Sequence, residues 1–137
     1  MADPVRCVEV YSIECKNKPG EGARILGALR AGGVNLTAMW GYPVGKTMAR
    51  IDVAADDAAA LKAAAKAAKL KLGKKQVAFH VSGVDRPGVM AEVMESLAAA
   101  KINVHAAHGL CAGEGRYGAL LQVESKDAKK AAKALGI

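Results

Sequence analysis

The chain has 137 residues, of which 52% are hydrophobic and 24% charged, as is usual for soluble globular domains. No apolar run approaches the roughly 20 residues that a membrane span needs, and the first residues lack the basic and apolar regions of a signal peptide. The cysteines are odd in number and widely spaced, which argues against a disulfide framework and predicts a cytoplasmic location. They are Cys7, Cys15 and Cys111.

The net charge of +7 raises the question of nucleic-acid binding. Half of the lysines, however, lie in two alanine-rich segments, where spacings of three and four place them on one face of a helix. We interpret them as a solvated helix face, with a phosphate-binding stripe as the alternative. These residues are Lys62, Lys66, Lys69, Lys126, Lys129, Lys130 and Lys133.

The chain contains an internal repeat. Pro19-Gly20 recurs 68 residues later as Pro87-Gly88, and further pairs share this offset. They are Asn17 with Asp85, Leu29 with Leu97, Asn35 with Asn103, and Gly41 with Gly109. A later insertion of two residues is expected to bring residues 51–53 opposite residues 121–123. The repeat predicts two domains, residues 1–72 and 73–137, each small enough to need a neighbour for stability.

The predicted elements follow the same order in both copies. A first strand is followed by a Pro-Gly turn that opens a helix, then by two strands, a second helix and, in the first copy, a short fourth strand. The fold class is therefore α+β, with two ferredoxin-like βαββαβ units in tandem, the second lacking its last strand. We expect the open sheet edge to be covered by the N-terminal extension or by a second chain. The predicted strands are residues 8–15, 34–40, 47–54, 70–72, 77–84, 102–108 and 117–124, with Asp56 and Ser125 as caps of the second helices.

The segments around the two Pro-Gly turns resemble the ACT domain, a small regulatory domain that binds amino acids in many enzymes of amino-acid metabolism. The resemblance is carried by Asp85-Arg86-Pro87-Gly88-Val89 with Lys101-Ile102-Asn103-Val104. The first copy resembles the family through Asn17-Lys18-Pro19-Gly20 and Gly33-Val34-Asn35-Leu36. The likeness covers nearly the whole chain.

The resemblance implies a ligand site where the loop after the first strand meets a neighbouring domain, which contributes an asparagine from the start of its second strand. The chemistry is reasonable, because a helix N-terminus offers backbone N–H groups to a carboxylate and an acidic oxygen accepts from an ammonium group. Glycine lets the backbone approach the ligand closely. The expected ligand-binding residues are Asp85, Arg86, Gly88, Val89, Asn103, Asn17, Gly20 and Asn35.

The first copy departs from the family pattern. Glu21 and Gly22 follow its Pro-Gly turn where the second copy has apolar residues. A glutamate pointing inward would repel a carboxylate, and Gly22 loosens the first helical turn. We therefore expect the second copy to be the better site and the first to supply a partner surface.

Alternatives remain for several residues. Asp85 would also serve as a plain helix cap, and the two asparagines as ordinary turn residues. The aromatic run at residues 40–43 is interpreted as core or interface packing, or else as a wall of the ligand pocket. His105 and His108 with Cys111 suggest a metal by residue type, but on a strand the two histidines point to opposite faces, so no metal site is expected. The alternative for His108 is a place in the lining of the ligand pocket.

We found no nucleophile–base pair or carboxylate pair at a telling spacing, so no catalytic residues, enzyme activity or cofactor are expected. The sequence favours a stand-alone regulatory protein that senses a free amino acid, forms a homodimer or higher oligomer, and modulates a partner metabolic enzyme. No nucleic-acid or membrane partner is expected. The alternatives are an RNA-binding module of the same topology, which would need stacking aromatics on its third strands, and an oligomerisation scaffold without ligand.

Overall fold

The computed structural model describes residues 3–137, which form an α+β chain of six strands and four helices. None of the helices among these residues is long and apolar enough to cross a membrane. A 3₁₀ turn over Ser125–Asp127 precedes the last helix. The elements in chain order are β1 (Val5–Lys16), α1 (Glu21–Ala31), β2 (Leu36–Val44), β3 (Met48–Ala55), α2 (Ala58–Ala67), β4 (Gln76–Val84), α3 (Val89–Ala99), β5 (Val104–Gly113), β6 (Arg116–Val123) and α4 (Ala128–Ala134).

The chain divides into two compact units. The first unit is Glu9–Lys75, and the second combines the N-terminal residues up to Val8 with Gln76–Ile137. Strand β1 therefore contributes its residues 5–8 to the second unit and its remaining residues to the first. A domain boundary between residues 72 and 73 stays a prediction of the repeat.

The first unit contains the antiparallel strand order β2-β3-β1, with α1 and α2 packed on it. Alternate residues of β1 enter the core because successive side chains of a strand point to opposite faces. The buried cluster takes in apolar residues from these strands and both helices. Its members are Tyr11, Ile13, Cys15, Ile25, Leu29, Ile51, Val53, Leu61 and Ala64.

The second unit repeats this arrangement with the order β5-β6-β4. Residues 5–8 of β1 lie beside β4, and the N–H of Ser82 donates to the carbonyl oxygen of Pro4 at 3.2 Å. The N-terminal segment thus occupies the edge that lacks a fourth strand of its own, as one of the two expectations proposed. The core of this unit is Phe79, Val81, Val89, Leu97, Ile102, Tyr117, Ala119, Leu121, Val123 and Ala131.

Residues 70–72 do not form the predicted fourth strand of the first unit. Leu70 and Leu72 pack partly buried against the core of that unit. The N–H of Gly73 donates to the carbonyl oxygen of Ser12 at 2.8 Å, so the segment reaches β1 through one backbone bond. Three residues with one such bond are too few for a regular ladder.

The expected two-residue insertion before the third strands is wrong. Tyr11 faces Val53 in the first unit, and Phe79 faces Leu121 in the second, so the offset of 68 persists into the third strands. The hairpin of the second unit instead carries a register irregularity between Cys111 and Gly113. A β-bulge of this kind absorbs a local difference without moving the following strand.

The helices begin slightly later than predicted. Gly20 and Gly88 are the residues just before α1 and α3, so each proline lies ahead of the helix and not in its first turn. Asp57 and not Asp56 caps α2, where its side chain accepts from the backbone N–H groups of Ala59 and Ala60. Ser125 starts the 3₁₀ turn, and Asp127 precedes α4.

Candidate functional site

The β4–α3 loop (residues 85–88) leaves the N-terminus of α3 open. Gly88 has φ +79°, a left-handed conformation that favours glycine, and no side chain caps the helix there. A Cβ at Gly88 would meet no atom within 4 Å, so the space in front of the backbone is free. The N–H of Val89 donates to the carbonyl oxygen of Arg86 at 3.3 Å. An uncapped helix N-terminus of this kind attracts anions.

Asp85 is exposed beside this helix end and does not act as its cap. Its backbone N–H donates to the carbonyl oxygen of Gly115 at 2.8 Å, which holds the loop against the β5–β6 hairpin. The Asp85 carboxylate accepts from the thiol of Cys111, and this bond raises the pKa of Cys111. A carboxylate and a helix N-terminus are therefore neighbours on one exposed loop.

Arg86 and Val89 make contacts other than those expected of ligand-binding side chains. Val89 is 5% exposed and belongs to the hydrophobic core of the second unit. The Arg86 guanidinium donates to the carbonyl oxygen of Val84 at 3.1 Å and pairs with the carboxylates of Asp3 and Glu92. These two pairs raise the pKa of Arg86, with Glu92 contributing most.

Asn103 is exposed and lies at the far end of the sheet from this loop. Val104 and Val77 both pair with Val123, so β5 and β4 start at the same end. The loop follows the other end of β4, seven residues beyond Val77. At about 3.3 Å per residue the separation is roughly 23 Å, so Asn103 and Asp85 of one chain do not form one site.

The loop of the first unit (residues 17–20) has the same backbone form. Gly20 has φ +91°, with open space where a Cβ would lie. The backbone N–H of Asn17 donates to the carbonyl oxygen of Thr47 at 2.9 Å. Glu21 pairs with Arg24 at 2.7 Å, and this bond lowers the pKa of Glu21. Arg24 thus neutralises the charge that was expected to repel a carboxylate.

Asn35 is engaged inside the first unit, unlike its counterpart in the second. Its side-chain N–H donates to the carboxylate of Asp56 at 2.6 Å, and the hydroxyl of Thr37 donates to the same group at 2.6 Å. At the offset of 68, Asp56 corresponds to Glu124, which pairs with His105 at 3.3 Å instead. The amide of Asn35 is therefore less available to a ligand.

The structure also shows polar groups that the sequence did not single out. Asp52 is 5% exposed on β3 and accepts hydrogen bonds from the hydroxyl groups of Ser12 and Tyr42, the latter at 2.8 Å. Burial and this bond raise the pKa of Tyr42. A charged residue between Ile51 and Val53 was the available signal. The predicted aromatic run thus includes one side chain that satisfies a buried carboxylate.

Metal ligands do not converge within residues 3–137, where no group of three or more His, Cys, Asp or Glu side chains is placed to hold an ion. His105 contacts Glu124. His80 is half-buried on β4, and its pKa is lowered by burial and by the nearby charge of Arg6.

No protein-family model matches the chain, and no curated protein matches it in sequence. Solved structures do match it in fold. Protein BT0572 from Bacteroides thetaiotaomicron has a TM-score of 0.78 at 15% identity, covering 94% of this chain and 88% of that one. The ligand-free regulatory subunit of aspartate kinase from Thermus thermophilus has a TM-score of 0.66 at 17% identity, covering 98% and 95%. A putative C-terminal regulatory domain of aspartate kinase from Porphyromonas gingivalis has a TM-score of 0.59 at 15% identity, covering 97% and 94%. The chain thus shares the fold of aspartate kinase regulatory domains.

Proposed function

We propose that the chain is a regulatory protein that binds a free amino acid at the β4–α3 loop of the second unit and modulates a partner enzyme of amino-acid metabolism. The observation that carries this proposal is the open N-terminus of α3 at Gly88 beside the exposed carboxylate of Asp85. The fold shared with regulatory subunits of aspartate kinase supports a regulatory role.

The loop offers complementary groups to the two charges of an amino acid. The carboxylate would bind the backbone N–H groups of the first turn of α3, where the helix dipole is positive. The ammonium would bind Asp85, in exchange for the hydrogen bond that its carboxylate now accepts from Cys111. Gly88 allows the ligand to approach the backbone without meeting a side chain.

A second copy of the chain would complete the site. Strand β5 pairs only with β6 among the described strands and is therefore an edge of its unit, with Leu110 75% exposed on it. If two copies pair along β5 in antiparallel fashion, the start of one β5 lies beside the end of the other. Asn103 of the second copy then lies next to the β4–α3 loop of the first copy, whereas within one chain Asn103 and this loop are about 23 Å apart. We therefore propose a homodimer, or a higher oligomer built from it.

The ligand would act on the partner enzyme by favouring one arrangement of the copies over another, because binding shifts a population only through differential affinity. We place the protein in the reducing cytoplasm, which fits three cysteines that form no disulfide among the described residues, two of them exposed. The first unit is proposed as a weaker site or a partner surface, since Asn35 is bonded to Asp56.

A thermal-shift screen of the twenty amino acids against the full chain tests the proposal. A ligand at about 100 times its Kd adds roughly 2.7 kcal/mol of stability, which raises the melting temperature by several degrees. Asp85→Ala and Asn103→Ala should each remove most of that shift. Glu95→Ala, which changes an exposed carboxylate elsewhere on α3, should leave it unchanged.

Two outcomes would contradict the proposal. If no amino acid shifts the melting temperature, the chain is better explained as a scaffold without ligand. If one does and Asp85→Ala leaves the shift intact, the site lies elsewhere.

A further inference from the structure

A cavity of about 560 Å³ lies in the second unit between α3 and the end of α4. Its apolar lining includes Val81, Val93 and Leu135. Its volume is in the range of small-molecule sites, which combine apolar walls with a few polar groups. The charged groups that line it are Asp3, Arg86 and Glu92.

The carboxylate of Asp3 is held at this cavity by two donors from the folded unit. The hydroxyl of Tyr117 donates to its Oδ2 at 2.6 Å, and Nη1 of Arg86 lies 3.5 Å from the same oxygen. The Asp3 side chain is 17% exposed. A phenol hydroxyl and a guanidinium that converge on one carboxylate are a carboxylate-binding arrangement, which we call the carboxylate seat (Arg86 and Tyr117).

Gly83 on β4 makes room for this carboxylate. A Cβ at Gly83 would overlap the Asp3 carboxylate, so any other residue there would exclude it. At the offset of 68, Gly83 corresponds to Cys15 and Tyr117 to Ala49. The first unit thus has neither the space nor the phenol, and the seat belongs to the second unit.

The occupant of the seat comes from the chain segment just ahead of β1. Asp3 lies two residues before the start of β1 at Val5. The carbonyl oxygen of the next residue, Pro4, accepts from the N–H of Ser82. A side chain takes no part in backbone hydrogen bonds, so a change of rotamer would move the Asp3 carboxylate out of the seat without breaking the bond at Pro4.

We propose that the seat and the cavity form a second binding site, separate from the ligand position between Asp85 and the N-terminus of α3, for a small carboxylate with a branched aliphatic body, and that Asp3 occupies the seat until such a molecule displaces it. The ligand carboxylate takes the two donors of Asp3, and its aliphatic body contacts Val81, Val93 and Leu135. Glu92 lines the same cavity and pairs with the other end of the Arg86 guanidinium, and we assign it as the acceptor for an amino group on the same ligand. The site does not depend on the proposed function of the loop.

Calorimetric titration of the full-length Asp3→Ala variant with isovalerate tests the site. Removing the internal carboxylate leaves the seat open, so we expect isovalerate to bind this variant at least tenfold more tightly than the unmodified chain. Adding Tyr117→Phe should abolish that gain. In Asp3→Ala, isovalerate should also raise the pKa of Tyr117, which is measured by tyrosinate absorbance. A purely structural role of Asp3 would not produce this rise.

Two further probes separate the chemistry. Isoamylamine, which has the same carbon skeleton and no carboxylate, should not bind. Valine should bind, and the difference between its affinity and that of isovalerate shows whether Glu92 accepts from its ammonium group. If the alanine variant does not fold, Asp3→Asn replaces it, because asparagine keeps the size of the aspartate without its charge. It should rank the probes in the same order. The proposal is overturned if isovalerate binds Asp3→Ala no better than the unmodified chain, or if isoamylamine binds equally well.

A control separates binding in the cavity from binding at the loop site. All titrations are repeated in Asp85→Ala, which removes the ammonium acceptor of the loop site and should leave unchanged the gain in isovalerate affinity that Asp3→Ala produces. If amino-acid shifts depend on Asp85 while isovalerate never binds, the loop proposal stands and the cavity proposal fails. The reverse pattern would leave the cavity as the ligand site and remove the loop from the proposed function.

Discussion

Tyr117 shows how one buried side chain links stability to pH. It is 4% exposed and donates to Asp3, and burial together with this bond raises the pKa of Tyr117 to about 12. A tyrosine in an unfolded chain ionises near pH 10. Between about pH 10 and about pH 12 the hydroxyl of Tyr117 therefore stays protonated in the folded chain and is ionised in the unfolded chain.

We predict a loss of stability at alkaline pH that depends on this residue. The raised pKa of Tyr117 contributes roughly 2–3 kcal/mol to the free energy of unfolding below about pH 10. This contribution is lost as the pH rises from about 10 to about 12. Denaturant unfolding of the unmodified chain and of Tyr117→Phe at several pH values measures it. Tyr117→Phe should show a shallower decline over this range. Parallel curves would mean that Tyr117 ionises normally in the folded chain.

Helices α1 and α2 of the first unit show how a glycine allows close packing. Gly32 follows α1 with φ −86°, a conformation that any residue can adopt. Glycine is therefore needed at this position for the space that it leaves between the helices, and not for its backbone conformation. A Cβ at Gly32 would overlap the methyl group of Ala64 on α2. Gly27, inside α1, has no atom within 4 Å of an added Cβ.

These two glycines should respond to alanine with opposite signs. Gly32→Ala forces the helices apart and should lower the free energy of unfolding by about 1–3 kcal/mol. Gly27→Ala fills open space in a helix and should raise it by about 0.5–1 kcal/mol. Chemical denaturation of both variants checks the pair. Equal effects would show that the packing of α1 on α2 is not the cause.

Local pattern accounts for the elements that the sequence predicted correctly. All six observed strands were predicted, because alternation of apolar residues is a property of short segments. The helix starts and the supposed insertion were wrong, since Gly88 and the bulge at Gly113 depend on backbone geometry that residue type does not fix. The cavity was missed because Tyr117 and Asp3 are 114 residues apart. Nothing local to either residue indicates that contact.

At the scale of the whole molecule, the loop site raises the question of assembly. One chain separates Asn103 from Asp85 along the sheet, so residues that resemble one family site lie at opposite ends of the second unit. Asn103 remains exposed, whereas Asn35 is bonded to Asp56. The proposed site combines Asn103 with Asp85 and so needs a second copy of the chain, and on this proposal amino-acid binding should depend on association.

Leu110→Lys should weaken both association and amino-acid binding. Leu110 is the most exposed large apolar residue on the β5 edge, and a lysine there places two like charges near each other when two copies pair along β5. Sedimentation velocity should show a shift toward monomer, and the amino-acid thermal shift should fall in parallel. Met39→Lys, on the edge strand β2 of the first unit, is the matched control and should change neither. If Met39→Lys dissociates the assembly and Leu110→Lys does not, association uses β2, and Asn103 does not complete the loop site.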